Sequence, residues 1–315
     1  MNKKNIALLG YGYWGKKLYS YLKKSEQFHL KYVHFRSLKN LTQENIGKEY
    51  GAEFVPDIER VWRDEDVGQV VIATPIITHY ALTKQALMNN KNVLVEKPIT
   101  MTRQEAHELQ SLAKEKKKVL MTEYTFTFSK ALKMVQKMIN EGVIGDLKSI
   151  DVFIRQLGRF TDYDVYALIG SHALSIINLF LPLNTMQFSA QTTMVTNDVI
   201  TSGIITFQTK DARVKGFIDL SLHCPESEKK VFIYGEQGTI IYDCMVPDSV
   251  KLSVYRQDKN VLDPDLIREE KSFQIDESHN LRLALEDFFE GLRNRQDNLE
   301  GSVAVTEVLD ALRCS

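Results

Sequence analysis

The chain has 315 residues, enough for two ordinary domains, and its 43% hydrophobic and 26% charged content is that of a globular protein rather than a disordered one. Its 40 basic and 41 acidic residues leave a net charge of -1, which argues against a nucleic-acid or anionic-membrane binder. Cys224, Cys244 and Cys314 are far apart, with no Cys-x-x-Cys spacing, so neither a disulfide framework nor a structural zinc is expected.

The apolar run Ile6–Leu9 that follows Lys3 and Lys4 is too short for a signal-peptide core. The longest apolar stretch, Ala173–Leu183, is broken by Ser175 and Asn178 and falls below the ~20 residues that cross a bilayer. A soluble, cytoplasmic protein is expected. The cluster Lys114-Glu115-Lys116-Lys117-Lys118 is read as a solvated helix end whose charges suit the helix dipole.

In chain order, the first ~120 residues alternate short apolar runs with amphipathic stretches, the pattern of βαβ units and a parallel sheet. Strands are expected at Asn5–Leu9, Leu30–Phe35, Gly68–Ala73, Asn92–Val95 and Val119–Thr122, and helices at Trp14–Lys24, Thr78–Asn89 and Arg103–Lys116. Thr102-x-x-Glu105 is a capping box that starts the last of these. After Glu123 the texture changes. A helix over Ser129–Asn140 is followed by alternating runs at Lys148–Leu157, Gln187–Val195, Ile200–Gln208, Val214–Leu220, Lys229–Tyr234, Thr239–Tyr242 and Val250–Tyr255. Period-2 alternation predicts a mostly antiparallel open sheet with one packed face. Helices over Gly170–Phe180, Leu281–Leu292 and Ser302–Leu312 complete the reading. The expected architecture is an α/β Rossmann domain, doubly wound on a parallel sheet, over 1–122, and an α+β domain over 123–315.

Gly10-Tyr11-Gly12-Tyr13-Trp14-Gly15 directly follows the first strand and opens the first helix, the context that G-x-G-x-x-G requires to bind a dinucleotide. Gly10 permits the tight turn, Gly12 lets the backbone approach a diphosphate, and Gly15 allows close helix–strand packing. The helix N-terminus then offers N–H groups and partial positive charge. Trp14 is expected to pack beneath the nicotinamide pocket. An NAD-selective site places Asp or Glu about 20 residues beyond the glycines. From Phe28 to Leu41 this chain has no acidic residue but has Arg36, Ser37 and Lys39. Either these hold a 2′-phosphate, favouring NADP over NAD, or they are surface charges.

Two further segments fall at carboxyl ends of strands, where open α/β sheets bind ligands. Ala73-Thr74-Pro75 leads to His79, which either touches the cofactor loop or caps a helix. Glu96-Lys97-Pro98 follows the buried run Val93–Val95, and its Lys97 is expected to face the crevice. His172 stands among apolar neighbours, so a core histidine and a functional one are both open. His223-Cys224 lacks further ligands at supporting spacing, and no metal is assigned. Tyr124, Phe126 and Phe128 alternate as in a strand and are read as packing residues.

Together, Gly10–Gly15, Ala73-Thr74-Pro75 with His79, and Glu96-Lys97-Pro98 resemble the glucose–fructose oxidoreductase / inositol 2-dehydrogenase (Gfo/Idh/MocA) family. The resemblance continues through Gly142-x-x-Gly145, His172 and Gly235-x-x-Gly238-Thr239-Ile240-Ile241-Tyr242-Asp243. It implies hydride exchange between a nicotinamide and a secondary alcohol of a sugar, polyol or nucleotide-sugar. It implies homodimers or homotetramers formed through the second sheet. By it, Lys97 polarises the reacting oxygen and His172 shuttles its proton, while Gly10, Tyr11, Gly12, Tyr13, Trp14, Gly15, Arg36, Ser37, Thr74, Pro75, His79, Glu96 and Lys97 contact the cofactor. Tyr124, Arg155, Arg159, Asp162 and Tyr166 are candidate substrate contacts. The chain departs from the family at Leu168, where an Asp is usual, at Glu123-Tyr124, where many members have Gly-His, and at Lys130, where proline is common. Two alternatives stand beside this reading: a non-catalytic cofactor- or sugar-binding protein, which those departures motivate, and an enzyme of the same fold whose cofactor transiently oxidises a sugar to permit elimination or hydrolysis.

Overall fold

A computed structural model describes residues 3–35, 51–158, 163–246, 250–256, 268–275 and 280–313. They fall into two compact units, Met1–Tyr124 with Leu281–Thr306, and Thr125–Asn280 with Glu307–Ser315. The return of residues 281–306 to the first unit carries no signal in the alternation pattern.

In the first unit, β1 (Lys4–Leu9), β2 (Phe28–His34), β3 (Glu53–Val55), β4 (Gln69–Ile72), β5 (Asn92–Glu96) and β6 (Leu120–Glu123) form one sheet in the order β3-β2-β1-β4-β5-β6. Every pairing in it is parallel. The order reverses direction between β1 and β4, where the loops leaving the two strands turn to opposite faces and open a crevice. Continuous apolar runs form these strands because both faces are covered. On one face Leu9, Ile72, Val95 and Leu120 pack in a cluster with residues of α2 (Glu59–Arg63), α3 (His79–Met88), α4 (Arg103–Lys116) and α8 (Leu299–Arg313). On the other, Leu8, Val71, Leu94 and Met121 lie in register across the strands. A Cβ at Gly291 of α7 (Asn280–Asn294) would come within 3.1 Å of Met121 Sδ, which places that helix over this layer.

α1 (Tyr13–Lys24) buries Gly15, Leu18, Tyr19 and Leu22, and Lys23 and Lys24 in its last turn complement the helix dipole. Thr102 caps α4 by accepting from Glu105 N at 3.3 Å. The three-residue β3 is a correction to the reading of the sequence, as it is too short to show a period.

The second unit holds, among the described residues, an eight-stranded sheet in the order β14-β13-β12-β11-β7-β10-β9-β8. Its members are β7 (Leu147–Leu157), β8 (Met186–Thr196), β9 (Val199–Thr209), β10 (Lys215–Ser221), β11 (His223–Gly235), β12 (Gly238–Asp243), β13 (Val250–Arg256) and β14 (Arg268–Gln274). Only β7 and β10 pair in parallel. Ile150, Val152 and Ile154 alternate on one face of β7 and are buried. Val152, Ile154, Phe126 and Ile176 line one small cavity, so α6 (Ser171–Phe180) lies on that face. The opposite face carries Asp151, Phe153 and Arg155. There Phe153 meets Phe217 and Phe232 edge-on, at 5.4 and 5.7 Å.

Phe126 and Phe128 belong to a 3-10 turn, Thr125–Phe128, and not to the strand their alternation suggests. Backbone bonds close locally there, Ser129 N to Phe126 O at 3.1 Å, and Ser129 then caps α5 (Lys130–Asn140) through Leu132 N. No described helix is long and apolar enough to cross a membrane.

Candidate active site

At the end of β1 the chain turns through Gly10, whose φ of +98° suits glycine alone, and whose N–H bonds His34 O at 2.9 Å. A Cβ there would lie 2.4 Å from Ala73 O, and one on Gly15 would lie 2.1 Å from Gly10 O. Gly12 is different. Nothing lies within 4 Å of its Cβ position, so its lack of a side chain serves no internal packing and leaves the backbone open to a ligand. Gly12 is also the N-cap of α1, with no side-chain cap and no acidic residue in the first turn to compete for an anion. The loop therefore fits a diphosphate.

The aromatic residues of the loop divide. Tyr11 stands edge-on between Tyr19 and Phe54, each at 5.4 Å, and is a packing residue. Tyr13 and Trp14 are 59% and 42% exposed, with Lys17 Nζ 4.6 and 4.3 Å from their ring centres. Trp14 thus stacks outward on the first turn of α1 and is not packed beneath a pocket as expected. Arg36 and Ser37 lie outside the described residues, as do Arg159 and Asp162.

Thr74 and Pro75 follow β4, and Thr74 Oγ1 lies 2.7 Å from Thr78 Oγ1. His79 is the first residue of α3 and has no solvent exposure. Its Nδ1 lies 2.8 Å from Pro98 O and its Nε2 2.9 Å from Thr74 O. The ring clasps the loops after β4 and β5 together, and so positions groups rather than presenting one itself. Burial, reinforced by the Lys97 charge, lowers its pKa against the pull of the two carbonyls.

Glu96 ends β5, 8% exposed, and the half-buried Lys97 follows, joined to Pro98 by a cis peptide bond. Burial lifts Glu96 to about 7, while Lys97 pulls the other way. On β6, Glu123 is the register partner of Glu96 and is 2% exposed. Tyr124 is equally buried, and burial raises its phenol well above the usual range, so it stays protonated. The first unit therefore gathers Gly10–Gly15, Thr74, His79, Glu96 and Lys97 on loops leaving the carboxyl ends of its strands.

In the second unit His172 occupies the first turn of α6, half-buried, its ring edge-on to Phe126 at 5.3 Å. A π-helical turn, Tyr166–Gly170, precedes it, and Tyr166 is 2% exposed. A Cβ at Gly203 would lie 2.3 Å from the Tyr166 hydroxyl, so that side chain is packed against β9. The turn is held by Asp164, which accepts from Ala167 N at 2.7 Å and from Arg313 Nε at 3.0 Å. Both oxygens of the Asp164 carboxylate are committed to this clasp. Arg155 is a second departure. It points to the face of β7 opposite α6, where it pairs with Asp219 at 2.5 Å and Glu228 at 3.2 Å. The structure does not bring it together with His172. Asn298, which the sequence did not flag, grips the edge strand β6: Oδ1 accepts from Thr122 N and Nδ2 donates to Thr122 O, each at 2.8 Å.

A nucleotide-type loop at the switch point of a parallel sheet, with a lysine leaving a neighbouring strand, is the arrangement of a Rossmann-type dinucleotide-binding domain. Residues 4–124 match the model GFO_IDH_MocA, "Oxidoreductase family, NAD-binding Rossmann fold". The oxidoreductase YfiI of Bacillus subtilis is 33% identical over 118 residues, 34% of this chain and 30% of that protein. The dTDP-3,4-didehydro-2,6-dideoxy-alpha-D-glucose 3-reductase of Streptomyces antibioticus is 32% identical over 101 residues, 32% of this chain and 31% of that one. The chain spans about a third of the length of the curated relatives it matches, 30%, 26%, 37% and 38% in four of them. In fold the likeness is complete. KijD10, a 3-ketoreductase from Actinomadura kijaniata solved with TDP-benzene and NADP, superposes with a TM-score of 0.83 at 18% identity, covering 99% of this chain and 97% of that one. GenD2 from gentamicin A biosynthesis, solved with NAD, gives 0.83 at 21%, covering 100% and 94%.

Proposed function

We propose that this protein is an NAD(P)-dependent oxidoreductase that exchanges a hydride with a secondary alcohol or ketone of a sugar, polyol or nucleotide-sugar. The observation that carries the reading is Gly12, a helix N-cap with open space where a side chain would be. A bound nicotinamide supplies the hydride chemistry. The chain supplies the rest: the N-terminus of α1 holds the diphosphate, and His79 fixes the loops that carry Thr74 and Lys97. Lys97 then binds the reacting oxygen and takes or returns its proton, general acid–base work worth roughly 10²–10⁴-fold in rate. His172, on the second unit, is proposed as a further proton carrier. The nucleotide-sugar class draws support from the 3-reductase relative and the 3-ketoreductase fold neighbour.

NADP is the proposed preference, because β2 ends at His34 and no carboxylate follows before Leu41 to take a ribose 2′-hydroxyl. Self-association is proposed through the face of the second sheet that carries the half-buried Phe153, Phe217, Phe232 and Tyr234.

Calorimetric titration with NADP and NAD tests the core of this. Gly12→Ala should leave thermal stability unchanged and weaken cofactor binding by tenfold or more, whereas Lys97→Ala should keep cofactor affinity within a few-fold and lose most turnover. Leu168, where the family has Asp, favours the alternative of a cofactor-binding protein without catalysis. Absorbance change at the reduced-nicotinamide band with any member of a sugar panel excludes that alternative, and no binding of either nucleotide at millimolar concentration would sink both.

A further inference from the structure

Within the first unit, the end of α4 with the residues leading into β6, and the turn between α7 and α8, border one cleft of about 310 Å³. Lys114, Lys117 and Lys118 line it from the first segment and Arg295 from the second. None of these four cationic groups makes an ion pair or a side-chain hydrogen bond among the described residues. Their neighbours Lys116 and Arg293 do, with Glu115 at 3.5 Å and Glu290 at 3.1 Å. The helix dipole accounts for lysines at the end of α4. It accounts neither for Arg295, which comes from another part of the chain, nor for the space that all four border.

Two carboxylates, Asp297 and Glu300, border the same cleft, yet neither pairs with any of the four cations. The lining therefore carries an excess of two positive charges, which excludes a metal ion and matches a dianion. A phosphate monoester carries about -1.5 to -2 at neutral pH and offers three strong acceptor oxygens to ammonium and guanidinium groups. The rest of the lining suits the organic part of such a ligand. Buried Ala113, Val119 and Leu299 give an apolar floor on which a C–H face can pack. Asp297 Oδ1 accepts from Leu299 N at 3.1 Å, which leaves Oδ2 and the Glu300 carboxylate as acceptors for hydroxyl groups. The volume lies at the small end of small-molecule sites.

We propose that this cleft is a second binding site, for the phosphate monoester of a small polyol or sugar, separate from the dinucleotide loop. Val119 immediately precedes β6, so the cleft lies at the amino end of that strand. The glycine loop and Lys97 leave the carboxyl ends, and the length of β6 alone, four residues, spans roughly 13 Å. The phosphate is held by Lys114, Lys117, Lys118 and Arg295, and the hydroxyl groups by Asp297 and Glu300. The site is independent of the proposed function.

Calorimetric titration of the full chain at constant ionic strength tests it, with glucose 6-phosphate, inorganic phosphate and glucose as probes. Saturating NADP keeps the diphosphate loop filled, and Gly12→Ala protein run in parallel serves where no nicotinamide nucleotide binds. Glucose 6-phosphate should bind with a Kd of about 1 mM or below, about tenfold or more tighter than either inorganic phosphate or glucose. Lys118→Gln combined with Arg295→Gln should weaken it by about tenfold or more, because charge-assisted bonds are lost from both sides of the cleft. Lys116→Gln, at a lysine outside the lining, should leave it within about twofold. These side chains are exposed or half-buried, and tryptophan fluorescence in urea confirms that each variant folds as the wild type does. Glucose 6-phosphate binding no tighter than inorganic phosphate or glucose, or an affinity that the double variant leaves unchanged or Lys116→Gln lowers equally, overturns the site. Binding that follows the expected pattern in a protein without affinity for NADP or NAD supports the site and counts against the proposed function alone.

Discussion

Removing the His79 ring should loosen the site from beneath. The ring has no solvent exposure and stands 2.8 and 2.9 Å from two backbone carbonyls. Truncation to Ala leaves a buried carbonyl without its donor, about 1–3 kcal/mol, and a cavity comparable to other large-to-small core changes, about 2–4 kcal/mol. The expected loss is about 4 kcal/mol out of a typical 5–15, a fall in Tm of roughly 10 °C for a unit of this size. Trp14 and Trp62 are the two tryptophans of the chain and both belong to the first unit, so intrinsic fluorescence in urea reads its unfolding directly.

The pH dependence carries a sign. Burial, with Lys97, holds the folded pKa below the ordinary 6.5, so an unfolded chain binds a proton in acid that the folded one refuses. The stability that goes with a neutral His79 is complete above pH 6.5. It is lost as pH falls toward the folded pKa, at up to about 1.4 kcal/mol per pH unit. His34 is lowered too, also chiefly by burial, but it is present in both proteins and cancels. The stability difference between wild type and His79→Gln should therefore narrow between pH 7.5 and 5.5. A difference that widens in acid would mean that the folded ring is an imidazolium donating to both carbonyls, and would refute the reasoning.

Gly10→Ala should behave unlike Gly12→Ala, because a Cβ 2.4 Å from Ala73 O at a φ of +98° must move backbone; a loss of about 2 kcal/mol or more in urea unfolding is expected together with weaker cofactor binding. Arg155→Gln should leave kcat/KM within about twofold, since its guanidinium is held by Asp219 and Glu228 on the face away from α6, and cost about 1 kcal/mol for a pair this exposed. Asn298→Ala should cost about 2–3 kcal/mol through two lost bonds to an edge strand, and hydrogen exchange should show the Thr122 amide unprotected; undiminished protection there would show that β6 does not depend on the side chain.

What the sequence revealed follows from the range of the forces that write it. α4 is legible to the residue because its cap and its period lie within one short stretch, Thr102 to Lys116. The glycine loop is legible because its steric demands are local to the chain, even though the atoms that enforce them, such as Ala73 O, are not. β3 and β14 were not legible. One has three residues, and the other, Arg-Glu-Glu-Lys-Ser-Phe-Gln, has almost no apolar alternation; each exists because a neighbouring strand offers backbone partners. The alternation of Tyr124, Phe126 and Phe128 misled for the converse reason, as a 3-10 turn buries two of those rings with its hydrogen bonds closed on itself.

The site divides along the same line. Lys97 and His79 can be singled out from their neighbours in the chain, but what they do depends on register between distant segments. His79 reads as a cap or a ligand until Thr74 O and Pro98 O are seen to flank one ring. Arg155 reads as a substrate contact until the pleat of β7 sets it beside Asp219, 64 residues away, on the other face. Glu123 reads as a mere departure from a family pattern until the pairing of β5 with β6 makes it the register partner of Glu96. Each correction is a pairing between residues that no local pattern couples, and in each the reading changes because the residue gains a fixed neighbour. A residue type at a strand end therefore marks where chemistry is possible, while the strand beside it decides which groups that residue faces.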